Sequence, residues 1–217
     1  MECCEPGGFV SPFDEDEARR DRDRYHRRGP DDSTRLLLEM IKEAGVSGAT
    51  VLDIGAGIGV IDQELLRAGA SHAVLVEASR APHEASRAEA EAAGLLDRMD
   101  LRLCDFVRCA DDVPQADIVT LDRVVCCYPD SEGLVASSAA RAEKLLGLVL
   151  PRDDWYVRWF IRLGNLYWRL RRSAYRAYRL DNEQLDRQLQ ATGLTIRTER
   201  FTWLWRVVLY ARTEGTS

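Results

Sequence analysis

The run VLDIGAGIGV, Val51 to Val60, constrains the fold more than any other stretch of the chain. A strand-length apolar segment breaks into three glycines at alternate positions, Gly55, Gly57 and Gly59, and a helical pattern follows. Glycines carry no Cβ and accept positive φ, so a strand that meets a helix through such a turn lets a ligand approach the backbone closely. A dinucleotide fingerprint would read GxGxxG, with a pyrophosphate on the helix N-terminus. Here the spacing is GxGxG and residue 60 is a valine. Asp53, two residues ahead of the first glycine, would repel a pyrophosphate and suits a cationic ligand better.

The same alternation continues along the chain. Short apolar runs at 50–54, 73–77, 100–104, 117–121 and 145–150 are separated by helix-like stretches at about 59–68, 82–93 and 131–144. Ahead of them, Leu36, Leu37, Met40, Ile41 and Ala44 recur at helical spacing, with Asp32 or Ser33 as cap and Gly45 as stop. Two β-rich runs, LTIRTERF and TWLWRVVLY, close the sequence at a spacing that lets them pair. The pattern predicts an α/β fold: a Rossmann-like, doubly wound, mostly parallel seven-stranded sheet with an antiparallel C-terminal hairpin. Residues 1–30 are a charged N-terminal segment, read as a solvated helix that could serve as a lid. Residues 31–217 form the domain, with 152–180 as an aromatic and arginine-rich helical insertion.

At 217 residues the chain suits one domain, and 46% hydrophobic with 30% charged residues is globular composition. A net charge of −6 argues against wholesale phosphate neutralisation. No apolar run is long enough to cross a bilayer, and MECCEPGG lacks the basic-then-apolar pattern of a leader, so a cytoplasmic protein is expected. The six cysteines, Cys3, Cys4, Cys104, Cys109, Cys126 and Cys127, do not follow CxxC spacing. Free, mostly buried thiols and no metal site are the expectation.

VLDIGAGIG resembles motif I of class I S-adenosylmethionine-dependent methyltransferases. That resemblance implies that Asp53, Gly55, Ala56, Gly57 and Gly59 lie against S-adenosylmethionine (SAM), which leaves as S-adenosylhomocysteine (SAH). Two more positions agree. Glu77, followed by Ala78, ends the second run in LVEAS, where the family's acidic residue takes both ribose hydroxyls, and one carboxylate suits two vicinal hydroxyls. Asp105 follows the third run in LRLCDF, where the family sets a side chain against the adenine amino group, with Cys104 and Phe106 lining the ring. One such feature after each of the first three strands is far more specific than the glycine turn alone.

In open α/β sheets ligands lie at the carboxyl ends of the strands, so the fourth run, ADIVTLDRVVCCYPD, is expected beside the transferred methyl. Asp122, Arg123, Cys126, Cys127, Tyr128 and Pro129 are the candidate wall, with Asp122 and Arg123 also touching the cofactor. Amino-directed nucleic-acid methyltransferases carry Asn or Asp, Pro-Pro and an aromatic residue here; this chain does not, so no nucleic-acid partner is expected. With YHRRGPDDSTR, the region is similar to the magnesium-protoporphyrin O-methyltransferases and their bacterial relatives over most of residues 20 to 150. Tyr25 matches an N-terminal tyrosine implicated in that family, but Cys127 stands where its His-Tyr-Pro histidine would be, so porphyrin esterification does not carry over. Transfer from a sulfonium is an in-line displacement with a neutral leaving group, and a base is needed only if the acceptor must lose a proton. Tyr25, His26 and Asp122 are the candidate catalytic groups.

Between Arg152 and Arg179 lie eight arginines and eight aromatic residues. Trp155, Trp159, Leu163, Leu166 and Leu170 form one helical stripe, expected to cover the sheet or to line a homodimer interface. Trp155 and Trp159 are also candidate pocket residues, with Tyr25, Cys127 and Tyr128, under a lid whose arginines would hold an anionic group. Contact with a membrane surface draws on the same residues and is the less favoured reading. The expected activity is methyl transfer from SAM to a small or mid-sized organic acceptor, at oxygen. An NAD-dependent oxidoreductase is the alternative, but it must explain the missing third glycine and offers no Tyr-x-x-x-Lys pair. A cofactor-binding protein without catalysis is a third reading.

Overall fold

The computed structural model describes residues 14–170, 176–178 and 180–213. Two helices, α1 (Glu15–Arg28) and α2 (Asp32–Ala44), precede the sheet. Then strands and helices alternate: β1 (Thr50–Ile54), α3 (Val60–Arg67), β2 (His72–Glu77), α4 (Arg80–Ala92), β3 (Met99–Leu103), α5 (Phe106–Cys109), β4 (Ala116–Asp122), α6 (Ser131–Arg141) and β5 (Ala142–Pro151). Helix α7 (Trp155–Leu170) and α8 (Asn182–Ala191) lead into the hairpin β6 (Leu194–Phe201) and β7 (Trp205–Arg212).

The seven strands run β3-β2-β1-β4-β5-β7-β6. The first five pair in parallel, whereas β7 is antiparallel to β5 and β6 antiparallel to β7. The doubly wound sheet with its C-terminal antiparallel hairpin is therefore as the periodicity predicts. The order turns at β1 and β4, which opens the crevice above their carboxyl ends.

Strands β1, β2, β4, β5 and β7 each feed two cores because neighbouring side chains leave on opposite faces. Leu52, Val74 and Leu121 pack with Phe106 of α5, Leu134 of α6 and Leu185 of α8. Val51, Leu75 and Ile118 pack on the other side with Leu37 and Ile41 of α2 and Leu65 of α3. Burial of strands on both faces explains why they read as continuous apolar runs. Arg206, almost fully buried on β7, binds both oxygens of Asp186 on α8 at 3.0 and 2.9 Å and also Glu199 of β6, so the hairpin is tied to the last helix by a fork of charge-assisted bonds.

Two boundaries differ from the pattern. Asp32 and Ser33 lie inside the first turn of α2; its N-cap is Asp31, whose carboxylate makes no capping bond and is taken by Arg24 and Arg123 instead. β5 begins at Ala142, three residues before the apolar run, because Ala142 already pairs with Ala116 and Lys144 binds Asp117 at 2.6 Å. Paired backbone, rather than hydrophobicity, starts that strand.

Candidate active site

A cavity of about 700 Å³ opens above the carboxyl ends of β1, β2, β3 and β4. Its floor is the glycine turn. Gly55, Gly57 and Gly59 have φ of 66°, 57° and 75°, a region L side chains rarely adopt. Gly55 has a steric reason besides: a Cβ there would sit 2.5 Å from Cγ2 of Val124. Gly57 has open space above it, which leaves the backbone accessible from the cavity. Gly59 is not a lining residue, contrary to expectation; it is the N-cap of α3 and packs on Leu75.

Below the turn, Asp53 is buried and accepts a 2.6 Å bond from the Thr120 hydroxyl. Burial, with Asp62 next in effect, pushes its carboxyl well above the ordinary range. Asp62 on α3 is fully buried, and neither of its oxygens meets a donor. At the end of β2, Glu77 accepts the backbone N–H of Gly57 at 3.0 Å and of Ser79 at 2.7 Å. Burial raises its carboxyl while those N–H groups lower it, with a net rise. Each carboxylate oxygen retains acceptor capacity, so the two hydroxyls of a ribose can still be met.

Asp105, at the end of β3, is at once the N-cap of α5 and a lining residue. Its Oδ1 takes the Tyr128 phenol at 2.7 Å, and burial together with Asp105 raises that phenol above its usual range. Cys104 lines the cavity as expected, but not as a free thiol: a disulfide joins it to Cys109 across α5. The single turn of α5 returns the chain to within 6.5 Å, Cα to Cα, a closure that cysteine spacing did not announce. Cys126 and Cys127 lie in the wall, Pro129 is not a lining residue, and Cys3 and Cys4 lie outside the described residues.

Beyond β4, Asp122 accepts the Thr34 hydroxyl at 2.5 Å and the Arg123 Nε at 3.0 Å. Arg123 is the one described non-glycine residue with positive φ, 63°, held there by its N–H to Val149 and its bond to Asp31 at 2.9 Å. A residue kept in the left-handed region by several partners is typical of a site whose geometry matters more than its strain. Thr34 and Asp31 gave no sequence signal, because one reads as helix interior and the other as loop.

Tyr25 lines the cavity from α1; its phenol donates to Glu64 at 2.9 Å and accepts from Arg67 at 2.8 Å. Burial and Glu64 raise its pKa, so it stays protonated and serves as a donor rather than a base. His26 is a correction: one residue on, it turns to Glu89 of α4 at 2.6 Å and does not line the cavity. Trp155 and Trp159 are corrected likewise. The face of α7 that lines the cavity carries Val157, Phe160, Ile161, Gly164, Asn165 and Trp168, while Trp155 and Trp159 point outward. The α7 arginines do not line the cavity either; among the described residues the lining cations are Arg24 and Arg123, both paired with Asp31. Among the described residues no group of three or more His, Cys, Asp or Glu gathers as a metal site.

Comparison with known proteins gives one family: the model described as a methyltransferase domain matches residues 18–199. Curated relatives include the ribosomal protein L11 methyltransferase of Photorhabdus laumondii, 33% identical over 136 residues, or 59% of this chain and 46% of that one. That of Alteromonas mediterranea is 30% identical over 54% of this chain and 42% of its own. The chain thus spans about half the length of the curated relatives it matches. Among solved structures, the magnesium protoporphyrin IX methyltransferase of Synechocystis PCC 6803 with bound SAH superposes with a TM-score of 0.69 at 17% identity, covering 89% of this chain and 95% of that chain. An O-methyltransferase family protein from Burkholderia thailandensis gives 0.71 at 17% identity, covering 94% and 63%. At such identity these structures speak for the fold.

Proposed function

The chain belongs to the methyltransferase-domain family and uses SAM, and on that premise we propose that it transfers a methyl group to a small or mid-sized organic acceptor, at oxygen. The observation that carries the reading is the shape of the cavity: a continuous space of about 700 Å³ that runs from Glu77 and Asp105 to Asp122 and is flanked by α1 and α7. Its size suits a cofactor together with one modest acceptor.

The residues present fit SAM, since a cradle that side chains would fill is kept open by Gly55 and Gly57, with a carboxylate on either side. Bound there, SAM supplies a sulfonium methyl that can be displaced in line. Asp53 would face the amino-acid end, Glu77 would accept the ribose hydroxyls, and Asp105, Phe106 and the Cys104–Cys109 bridge would flank the adenine. Tyr128 stiffens Asp105 through its phenol. Thr34 and Arg123 hold Asp122 where it can accept the acceptor's hydroxyl proton, while Tyr25, whose own proton goes to Glu64, walls the acceptor's side of the space. Phe160 and Trp168 exclude water from the same space.

A second reading, methylation of a protein, rests on the names of the curated relatives. Transfer of labelled methyl from SAM to hydroxyl-bearing aromatic acceptors, compared with transfer to ribosomal protein, separates the two; label in ribosomal protein alone would overturn the proposal. Within the first reading, Asp122→Asn is expected to lower kcat about 100-fold or more at saturating SAM, with SAH affinity within about threefold of the parent. An unchanged kcat would remove Asp122 from the mechanism.

A further inference from the structure

Helix α7 presents a second apolar face that the cavity does not use. On an ideal helix Trp155, Trp159, Leu163, Leu166 and Leu170 fall within a sector of about 80°. In the fold they remain exposed, Trp155 at 74% and Leu170 at 76% of their surface, so among the described residues they neither cover the sheet nor pack against another element. The patch extends sideways, because Trp203 stacks on Tyr156 at 5.7 Å and meets the edge of Phe160 at 5.3 Å while staying 61% exposed. A contiguous surface of this kind marks an interaction site.

Charge says what covers it. From Trp155 to Leu170 the helix has three arginines and no acidic residue, on a chain whose net charge is −6. Arg162 and Arg169 flank the stripe, are exposed, and pair with no carboxylate among the described residues. Asp153 and Asp154, just ahead of the helix, are bound by Arg158 and Arg152 and leave no free negative charge at that end. Tryptophan and leucine on one side with arginine at the flanks is the composition of a helix lying in an anionic bilayer surface. A second copy fits worse: a two-fold pairing of this face would set Arg162 and Arg169 against their own equivalents, with no carboxylate to answer them.

We propose that the outer face of α7, continued by Trp203, is a docking surface for anionic lipid bilayers. Docking there leaves the inner face, Phe160 and Trp168 included, toward the cavity, so the site would open beside the headgroups. The inference does not depend on methyl transfer. It is tested by co-sedimentation of the full chain with phosphatidylserine-containing vesicles and with phosphatidylcholine vesicles alone, at low and raised salt. Binding to the anionic vesicles is expected, weakening with salt and much poorer on the neutral ones. Arg162→Glu with Arg169→Glu is expected to cut partitioning at least about tenfold, and Trp155→Ser with Trp159→Ser to reduce it comparably. SAH affinity measured by calorimetry is expected to stay unchanged in both variants, which separates lost docking from lost folding. Absence of binding to anionic vesicles, or equal binding by the charge-reversed variant, overturns the proposal. So does a dimer in sedimentation velocity that the tryptophan variant abolishes while vesicle binding is absent; the second copy would then be the occupant.

Discussion

Glu77→Ala is expected to weaken SAH binding about 100-fold or more, measured by calorimetry on protein whose circular dichroism is unchanged. Two charge-assisted hydrogen bonds to the ribose hydroxyls are worth roughly 1.5–3 kcal/mol each, and about 1.4 kcal/mol corresponds to a factor of ten. The N–H groups of Gly57 and Ser79 lose their acceptor in the same step, so the glycine turn loosens as well. Glu77→Gln keeps the shape and one acceptor oxygen and is expected to cost about tenfold. An affinity for the alanine variant within threefold of the parent would mean that Glu77 is a strand-end residue serving the turn alone.

Asp62→Asn is expected to stabilise the cofactor-free protein, and increasingly so as the pH rises. Burial pushes the Asp62 carboxyl up to about 7 from 3.8. Its neighbour Asp53 is raised too, by burial first and by Asp62 next. In the unfolded chain both carboxyls ionise near pH 4. Between about pH 4 and 7 the folded state therefore binds more protons than the unfolded one, and stability falls as pH rises through that window. Above pH 7 the whole penalty is present, on the order of 2–4 kcal/mol. The asparagine variant has no such charge to bury. Its Tm is expected to match the parent's near pH 4 and exceed it by several degrees at pH 8, in thermal scans at matched ionic strength. Parallel pH profiles for the two proteins would show that Asp62 ionises in the fold at little cost.

The strand-end half of the cavity was legible because it is built where the chain leaves a strand, and strands buried on both faces announce themselves as apolar runs. Glu77, Asp105 and Asp122 each close such a run, and the glycines between β1 and α3 leave little choice of conformation. The half of the cavity that faces α1 and α7 was less legible because it is made by helices that have two sides. His26 and Tyr25 are neighbours in sequence, yet about 100° of helical turn sends one to Glu89 and the other to the cavity. In α7 apolar residues occur nearly all round, so periodicity located the stripe of Trp155 and Trp159 without saying which side met the cavity; the opposite side did, through Val157 and Ile161. Thr34 and Arg123 matter through partners 88 and 92 residues away, Asp122 and Asp31, and no local pattern encodes such pairings. The Cys104–Cys109 bridge depends on the return path of α5, which spacing alone does not describe.

On the proposed function, the glycine turn, Glu77 and Asp105 form one site for a sulfonium nucleoside. Isothermal titration of the full chain with SAM, SAH and NAD in parallel tests it most directly. Saturable binding of SAM and SAH at a single site is expected, lost together on Glu77→Ala, with no heat from NAD. Saturable binding of NAD with none of either sulfur ligand would contradict it.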